Sequence, residues 1–190
     1  HLDRSEQRGN TSIVFTSDHV DMMCDHGLML KGFMHYRGTL HVPMVISVPG
    51  QKPNRTAALA SSIDLGPTLM EICGIQGYDG IQGYSLNPLI QDATASVRES
   101  VLIEDDIAPV VASLTPIPAK TRTVITDTHR YTRNSKREDQ LIDLIVDPDE
   151  CENQAETDAG ARAMAIERLT DALIAADDAA RGAPVDARYA

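Results

Sequence analysis

The feature that most constrains this chain is a short apolar run that ends abruptly in four polar residues. Residues 13–15 (Ile-Val-Phe) form a continuous β-prone run, typical of a strand buried on both faces, and Thr16-Ser17-Asp18-His19 follows directly. In open α/β sheets, ligands bind in the crevice outside the carboxyl ends of the strands. We therefore expect Asp18 and His19 to point into a site.

The residues after this strand supply the chemistry of an anion site. Asp18 and His19 offer one carboxylate and one imidazole, which can bind a divalent cation when further ligands come from elsewhere. Seven residues on, Asp25 and His26 add a second acid and a second imidazole. Lys31 adds a cation, and the glycine beside it allows close backbone approach. Together these residues suit the handling of a sulfate or phosphate group.

Three blocks of the sequence resemble the sulfatases of the alkaline phosphatase superfamily. The first follows that family's S-D-[NH]-G strand end and its D-H-G-L-x-x-K-G segment in order and spacing, with Ser17-Asp18-His19, Asp25-His26-Gly27-Leu28, Lys31-Gly32, Gly38 and Val42-Pro43. The second, from Ser62 to Leu86, is similar to the family's D-L-x-P-T-L helix and G-x-S-L loop. The third, from Leu141 to Asn153, is similar to its D-L-x-x-D-P-x-E-x-x-N signature.

The resemblance implies an α/β fold. It would be the C-terminal part of an alkaline phosphatase-like sandwich, ending in a small antiparallel sheet with a C-terminal helix. Residues 1–95 would be the C-terminal part of the large sulfatase α/β domain, and residues 96–190 a small α+β subdomain.

Sequence patterns place the elements of this fold. They predict strands at residues 11–17, 42–48, 101–104, 122–127, 131–133 and 140–144. A helix is predicted over residues 63–73, with Ser62 as its N-cap and Gly74 as its stop. Three-and-four spacing from Ala163 to Leu173 predicts a final helix, followed by an Ala-rich tail that frays after Asp177. Prolines at 109, 116 and 118 are interpreted as breaks.

The resemblance also implies roles for individual residues. Asp18 and His19 would be two ligands of the active-site divalent ion, commonly Ca²⁺ in sulfatases, with Mn²⁺ or another divalent ion as alternatives. Lys31 would be a catalytic residue that contacts the sulfate or phosphate oxygens of a small ester substrate. His26 would lie near the site as a second catalytic group, facing the substrate or supporting it. His at position 19 is similar to the branch that contains phosphonate monoester hydrolases and some arylsulfatase and choline sulfatase relatives.

Each of these roles has a structural alternative. Asp18 could cap a turn beside an exposed histidine, Lys31 could be a solvated lysine, and His26 could bond backbone in a packed loop. His35 is interpreted as structural. Asp64, Asp143 and Asp147 are interpreted in the same way, as acids that cap helices and turns.

Two parts of the family's machinery are absent from the sequence. Cys24, Cys73 and Cys151 all lack the C-x-[PA]-x-R context in which the family's cysteine becomes the formylglycine nucleophile, and an early acidic pair of metal ligands is also missing. We therefore expect the carboxyl-terminal portion of a sulfuric ester hydrolase, inactive alone and completed by the missing N-terminal part of the same enzyme. A phosphonate or phosphate ester hydrolase and a noncatalytic metal-binding domain remain open as alternatives.

Two substitutions within the first block bear on loop geometry. Val20 and Cys24 both stand where the family commonly has glycine. Because a β-branched residue does not tolerate the positive φ that glycine allows, Val20 puts the family's loop geometry in doubt.

Charge and cysteine content exclude other classes. With 17 basic and 28 acidic side chains, the formal charge is -11, and nucleic-acid binding draws instead on clustered Lys and Arg. No apolar run approaches the ~20 residues of a membrane span. Three widely spaced cysteines do not make a disulfide framework, which favours a cytoplasmic location. The chain is expected to lack the N-terminal part of the enzyme, where a targeting signal would lie, so the sequence does not decide targeting.

Overall fold

The computed structural model describes residues 2–182, as a mixed α/β chain with two antiparallel sheets and a long C-terminal helix. The strands are β1 (Ile13–Thr16), β2 (Met44–Ser47), β3 (Val101–Asp106), β4 (Lys120–Ile125), β5 (His129–Asn134) and β6 (Asp139–Asp143). The helices are α1 (Arg37–Leu40), α2 (Leu65–Ile72), α3 (Asn87–Gln91), α4 (Pro109–Leu114) and α5 (Ala159–Gly182). Short 3₁₀ turns lie at Arg8–Asn10, Asp25–Gly27 and Ser62–Asp64. The expected fold class is confirmed.

The small antiparallel sheet and the final helix form the core of the second half of the chain. The strand order is β3-β4-β5-β6, with every neighbouring pair antiparallel. One cross-strand row of this sheet faces α5, and it consists of Leu102, Val124, Tyr131 and Leu141. The helix packs onto that row through Ala161, Ala165, Ile166, Leu169 and Leu173. β-prone residues such as Thr, Val, Ile and Tyr on the strands and three-and-four spacing on the helix explain why this part was predictable.

Tyr131 provides a test of this core. Its side chain is fully buried, and its hydroxyl donates to Asp139 Oδ2 at 2.9 Å. Burial, helped by that hydrogen bond, raises the pKa of Tyr131 from 10.0 to about 12. The unfolded chain loses the phenol proton near pH 10 while the folded chain keeps it, so the free energy of unfolding falls between about pH 10 and about pH 12.

We expect Tyr131→Phe to lose this part of the pH dependence. Urea unfolding of both proteins at about pH 8 and about pH 11 measures it, because below pH 10 the tyrosine contribution is constant. An equal fall in stability for the two proteins would contradict the assignment.

The first sheet differs from its prediction. β1 pairs with β2 in antiparallel register, Phe15 opposite Val45, and it has no other partner strand in the described part of the chain. Phe15 is 63% exposed and Val45 is 59% exposed. The expectation that β1 is buried on both faces is therefore wrong for this chain, because no described element covers the face that carries these two side chains.

The predicted helix at 63–73 is present, but its start differs. The 3₁₀ turn Ser62–Asp64 leads directly into α2. The N-cap of this helical segment is Ser61 instead of Ser62, and the Asp64 carboxylate accepts a hydrogen bond from the Ser61 N–H at 2.8 Å. Asp64 is fully buried and also accepts from the Tyr84 N–H at 2.9 Å and from Arg98. Asp64 is thus a capping acid, as interpreted, and also one half of a buried ion pair that the sequence did not indicate.

Three short helices, α1, α3 and α4, were not predicted. α3 and α4 each carry a proline in the first turn, at Pro88 and Pro109, where the missing N–H costs nothing. The interpretation of Pro109 as a break was therefore wrong. α5 continues helical beyond Asp177 to Gly182, and the rest of the tail lies outside the described residues.

Within residues 2–182, no helix combines the length and the apolar character that crossing a membrane requires. The three cysteines are free thiols. The division of the chain at residue 95 stays a prediction.

Candidate functional site

β1 ends in a tight polar turn that fixes Asp18 and His19. Ser17 Oγ donates to the backbone oxygen of His19 at 2.8 Å, and the His19 N–H donates to Asp18 Oδ1 at 3.0 Å. The second carboxylate oxygen, Oδ2, lies 3.5 Å from His19 Nε2. The acid and the imidazole at the strand end therefore face each other, as their adjacency in the sequence allows.

The carboxylate of Asp18 is open to solvent, with its side chain 85% exposed. The pKa of Asp18 lies below its ordinary value, first because the carboxylate accepts the His19 backbone N–H, and further because His19 contributes favourable charge. An exposed carboxylate whose pKa is lowered, and which is therefore ionised at neutral pH, is suited to bind a cation.

Lys31 returns to this turn from twelve residues away. Its Nζ lies 2.6 Å from His19 Nε2, and its backbone N–H donates to Asp21 Oδ1 at 2.9 Å. An ammonium group can only donate, so Nε2 accepts and the ring proton sits on Nδ1. That Nδ1 is buried and has no hydrogen-bond partner among the described residues. The structure thus brings three of the four predicted site residues together.

The fourth, His26, is held by a different set of contacts. Its Nδ1 lies 3.1 Å from Asp25 Oδ1, and its Nε2 lies 3.2 Å from the backbone oxygen of Glu150. The ring stacks on Tyr36 with centroids 4.0 Å apart, and the side chain is 18% exposed. These contacts run to Asp25, Tyr36 and Glu150, and none of them is with Lys31. A substrate-facing role for His26 stays a prediction.

The turn that carries His26 has an unusual backbone. Three residues that are not glycine lie in the left-handed region, Met23 at φ 49°, Cys24 at φ 77° and His26 at φ 49°. Val20 is not among them, and its N–H donates to Thr39 O at 3.4 Å. The doubt raised by Val20 was therefore misplaced: of the two positions where the family commonly has glycine, the one in the left-handed region is Cys24. A residue with a Cβ in this region costs about 1–3 kcal/mol.

The loop after Lys31 is anchored to the small sheet by a buried histidine. His35 Nδ1 lies 2.7 Å from Thr123 Oγ1, and its Nε2 lies 3.8 Å from an oxygen of Asp105. Burial lowers the pKa of His35 because it disfavours the charged imidazolium. The contact agrees with the structural interpretation of His35.

The donors at the end of β1 fit a divalent ion as part of a coordination shell. Asp18 offers an accessible carboxylate oxygen, Oδ2, which lies 3.5 Å from His19 Nε2, so the two donors face each other. An ion held between them would displace Lys31 Nζ from Nε2. Across residues 2–182, however, no group of three or more His, Cys, Asp and Glu side chains is arranged to hold a metal ion. The metal-binding roles of Asp18 and His19 therefore stay a prediction.

Comparison with known proteins decides the family. The sulfatase family model matches residues 1–75, the stretch that carries Asp18, His19, His26 and Lys31. Arylsulfatase K of Xenopus laevis is 33% identical over 152 residues, covering 77% of this chain. The chain belongs to the sulfatase family. It spans about 28% of the length of that relative.

Solved structures confirm the alkaline phosphatase-like fold of this sulfatase chain. A protein solved in complex with its substrate D-glucosamine-2-N,6-O-disulfate matches with a TM-score of 0.81 and 22% identity, covering 93% of this chain and 37% of that protein. The phosphonate monoester hydrolase of Agrobacterium radiobacter matches with a TM-score of 0.78 and 26% identity, over the same shares of the two chains. The fold is thus shared with a protein solved in complex with a disulfated glucosamine and with a phosphonate monoester hydrolase.

Sequence reasoning missed the residues that support the site from a distance. Glu150 was part of the third matching block, but nothing in its spacing indicated that it contacts His26 or α1. Arg130 and Tyr36 gave no signal either, because a single Arg or Tyr within a strand or loop is ordinary.

Proposed function

We propose that this sulfatase chain carries part of the divalent-metal and anion site of a sulfuric ester hydrolase. The observation that carries the proposal is the meeting of Asp18, His19 and Lys31 beyond the carboxyl end of β1, with Lys31 Nζ 2.6 Å from His19 Nε2. Asp18 and His19 would hold the ion, Ca²⁺ or Mn²⁺, and a bound divalent ion polarises sulfate or phosphate oxygens as a Lewis acid.

Lys31 has the role of an anion clamp in this proposal. Its ammonium is a compact charge with three donors, and the contact with His19 keeps it at the strand end instead of in free solution. Negative charge develops on the sulfate oxygens as the ester bond breaks, so a fixed ammonium there stabilises the transition state more than the ground state. His26 would support this site from the adjacent turn.

The chain alone is proposed to be inactive. It has no cysteine in the context that yields formylglycine, so the nucleophile would come from the N-terminal part of the same enzyme. The side chains of Ile13, Phe15 and Val45 are exposed and apolar. They support the proposal of an N-terminal part, because such a face would pack against its strands or helices.

A phosphonate or phosphate ester hydrolase is the second candidate. The 26% identity to a phosphonate monoester hydrolase favours it, since the same three residues would serve a phosphoryl group. Turnover of an aryl sulfate and of a phosphonate monoester by the full-length enzyme separates the two. A higher kcat/KM on the sulfate ester supports the sulfatase, a higher value on the phosphonate ester favours the alternative, and no turnover of either indicates a noncatalytic metal-binding domain.

Ion binding gives a test that does not need turnover. In the full-length protein, Asp18→Asn is expected to weaken Mn²⁺ and Ca²⁺ binding at least ~10-fold in calorimetric titrations, because it removes an ionised ligand. Asp127→Asn is the matched control, since it removes an exposed carboxylate from the turn between β4 and β5. Equal affinities in the two variants would overturn the assignment of Asp18.

A further inference from the structure

Glu150 bonds two separate parts of the loop that carries the candidate site. Its Oε2 accepts a hydrogen bond from the Arg37 N–H, the first amide of α1, at 2.6 Å. Its backbone oxygen lies 3.2 Å from His26 Nε2. Both partners are more than 100 residues away in the sequence, separated from Glu150 by 113 and 124 positions. One residue of the third block therefore holds both the turn around His26 and the start of α1.

The carboxylate of Glu150 is itself fixed by the small sheet. Arg130 Nε donates to Glu150 Oε1 at 2.5 Å, and the two side chains are 1% and 2% exposed. Arg130 Nη1 also donates to Thr132 Oγ1 at 2.9 Å, on the face of the sheet opposite α5. The guanidinium lies 5.2 Å from the ring centre of Tyr36, the same ring that stacks on His26. A buried charge held this way has little freedom to move.

α1 carries the contact onward to the residues at the end of β1. The backbone oxygen of Thr39 accepts from the N–H of Val20, the residue directly after His19, at 3.4 Å. Gly38 packs tightly on the turn before His26, since a Cβ there would lie 2.8 Å from Asp25 Oδ2 and 3.1 Å from Met22 Sδ. The four-residue helix therefore lies between Glu150 on one side and the site residues on the other.

We propose that Glu150, held by Arg130, is a positioning residue for the anion site. It orients the His26 ring directly. Through α1 it also fixes the position of Val20, and therefore the position of the adjacent His19–Lys31 pair. The link to anion binding rests on the proposed function, whereas the link to loop position does not. If the ion pair served stability alone, its loss would lower stability without changing the site loop selectively.

Glu150→Gln tests this proposal, with Glu152→Gln as the matched control. Both changes remove one negative charge from the same segment, but Glu152 is exposed. In the 190-residue chain, Glu150→Gln is expected to speed amide hydrogen exchange of Arg37 and Val20 at least ~10-fold and to shift the ¹⁵N resonances of the His26 ring. In the full-length protein, it is expected to weaken binding of inorganic sulfate ~10-fold.

A second variant guards against loss of folding. Arg130→Met combined with Glu150→Gln leaves no buried charge unpaired and is expected to reproduce the effects on Val20, His26 and sulfate. Faster exchange spread evenly over the strands of the small sheet, with unchanged His26 resonances, would overturn the positioning role. If the wild-type protein binds no sulfate, the proposed function fails, while the Val20 and His26 readouts still decide whether Glu150 positions the loop.

Discussion

Replacing Gly83 with alanine is expected to destabilise the folded chain by about 4 kcal/mol or more, among the largest effects of a single substitution. A Cβ at this position would lie 2.1 Å from the backbone oxygen of Ile63 and 2.7 Å from its carbonyl carbon. Both are backbone atoms at the start of the helical segment, so no side-chain rotation relieves the clash. The loop at Gly83 has to move away from the helix.

That movement would break the buried contacts that join the loop to α2. The Tyr84 N–H donates to Asp64 at 2.9 Å, and the Leu86 N–H donates to Thr68 Oγ1 at 2.8 Å. Asp64 is fully buried, so any partner it loses is not replaced by water. Leaving a buried charge short of partners costs several kcal/mol, roughly 3–5 when an ion-pair partner is removed.

Urea unfolding measures the effect, and the chain provides a matched control. Gly66→Ala introduces the same methyl group within α2, where a Cβ meets nothing within 4 Å. Because alanine favours a helix over glycine but is disfavoured directly before Pro67, this control is expected to change the free energy of unfolding by less than about 1 kcal/mol. A Gly83→Ala protein that unfolds at the wild-type urea concentration would show that the close approach to Ile63 is wrong.

The second large effect is expected in catalysis. If the proposed function holds, Lys31→Ala in the full-length protein should lower kcat/KM for a sulfate ester by about 10²–10³-fold, because Lys31 is proposed to be a fixed cation that faces the developing charge. The loss should fall on kcat as well as KM, since the interaction strengthens in the transition state.

Lys52→Ala is the control, because it shows whether the loss of one positive charge elsewhere in the protein also lowers kcat/KM. Lys52 is an exposed lysine in the loop after β2, so its removal changes the net charge equally. Folding of both variants is checked by their urea midpoints. Full activity of Lys31→Ala, or an equal loss in both variants, would remove Lys31 from the site.

Local pattern predicted the small sheet and the residues of the first block. The β-prone residues of β4, β5 and β6 and the three-and-four spacing along α5 are local signals, so they can be recognised before the fold is known. The meeting of Lys31 with His19 spans twelve residues, and it agrees with the spacing of the first block.

Contacts across long stretches of sequence were not predictable in the same way. Glu150 meets Arg37 and His26 because the small sheet and the site loop fold against each other, and no local period encodes that pairing. The exposure of Phe15 also escaped prediction, since an apolar run indicates a strand that can be buried but not what covers it. The strained φ fell on Cys24 because the conformation of a turn depends on its neighbours more than on one residue type.

The most direct test is an anomalous diffraction measurement on crystals of the full-length protein grown with Mn²⁺. The account predicts an anomalous peak within roughly 2–2.5 Å of an Asp18 carboxylate oxygen and a His19 ring nitrogen. It also predicts that added sulfate binds with an oxygen in contact with Lys31 Nζ. A manganese ion bound by other residues, with Asp18 and His19 left in solvent, would contradict the central claim.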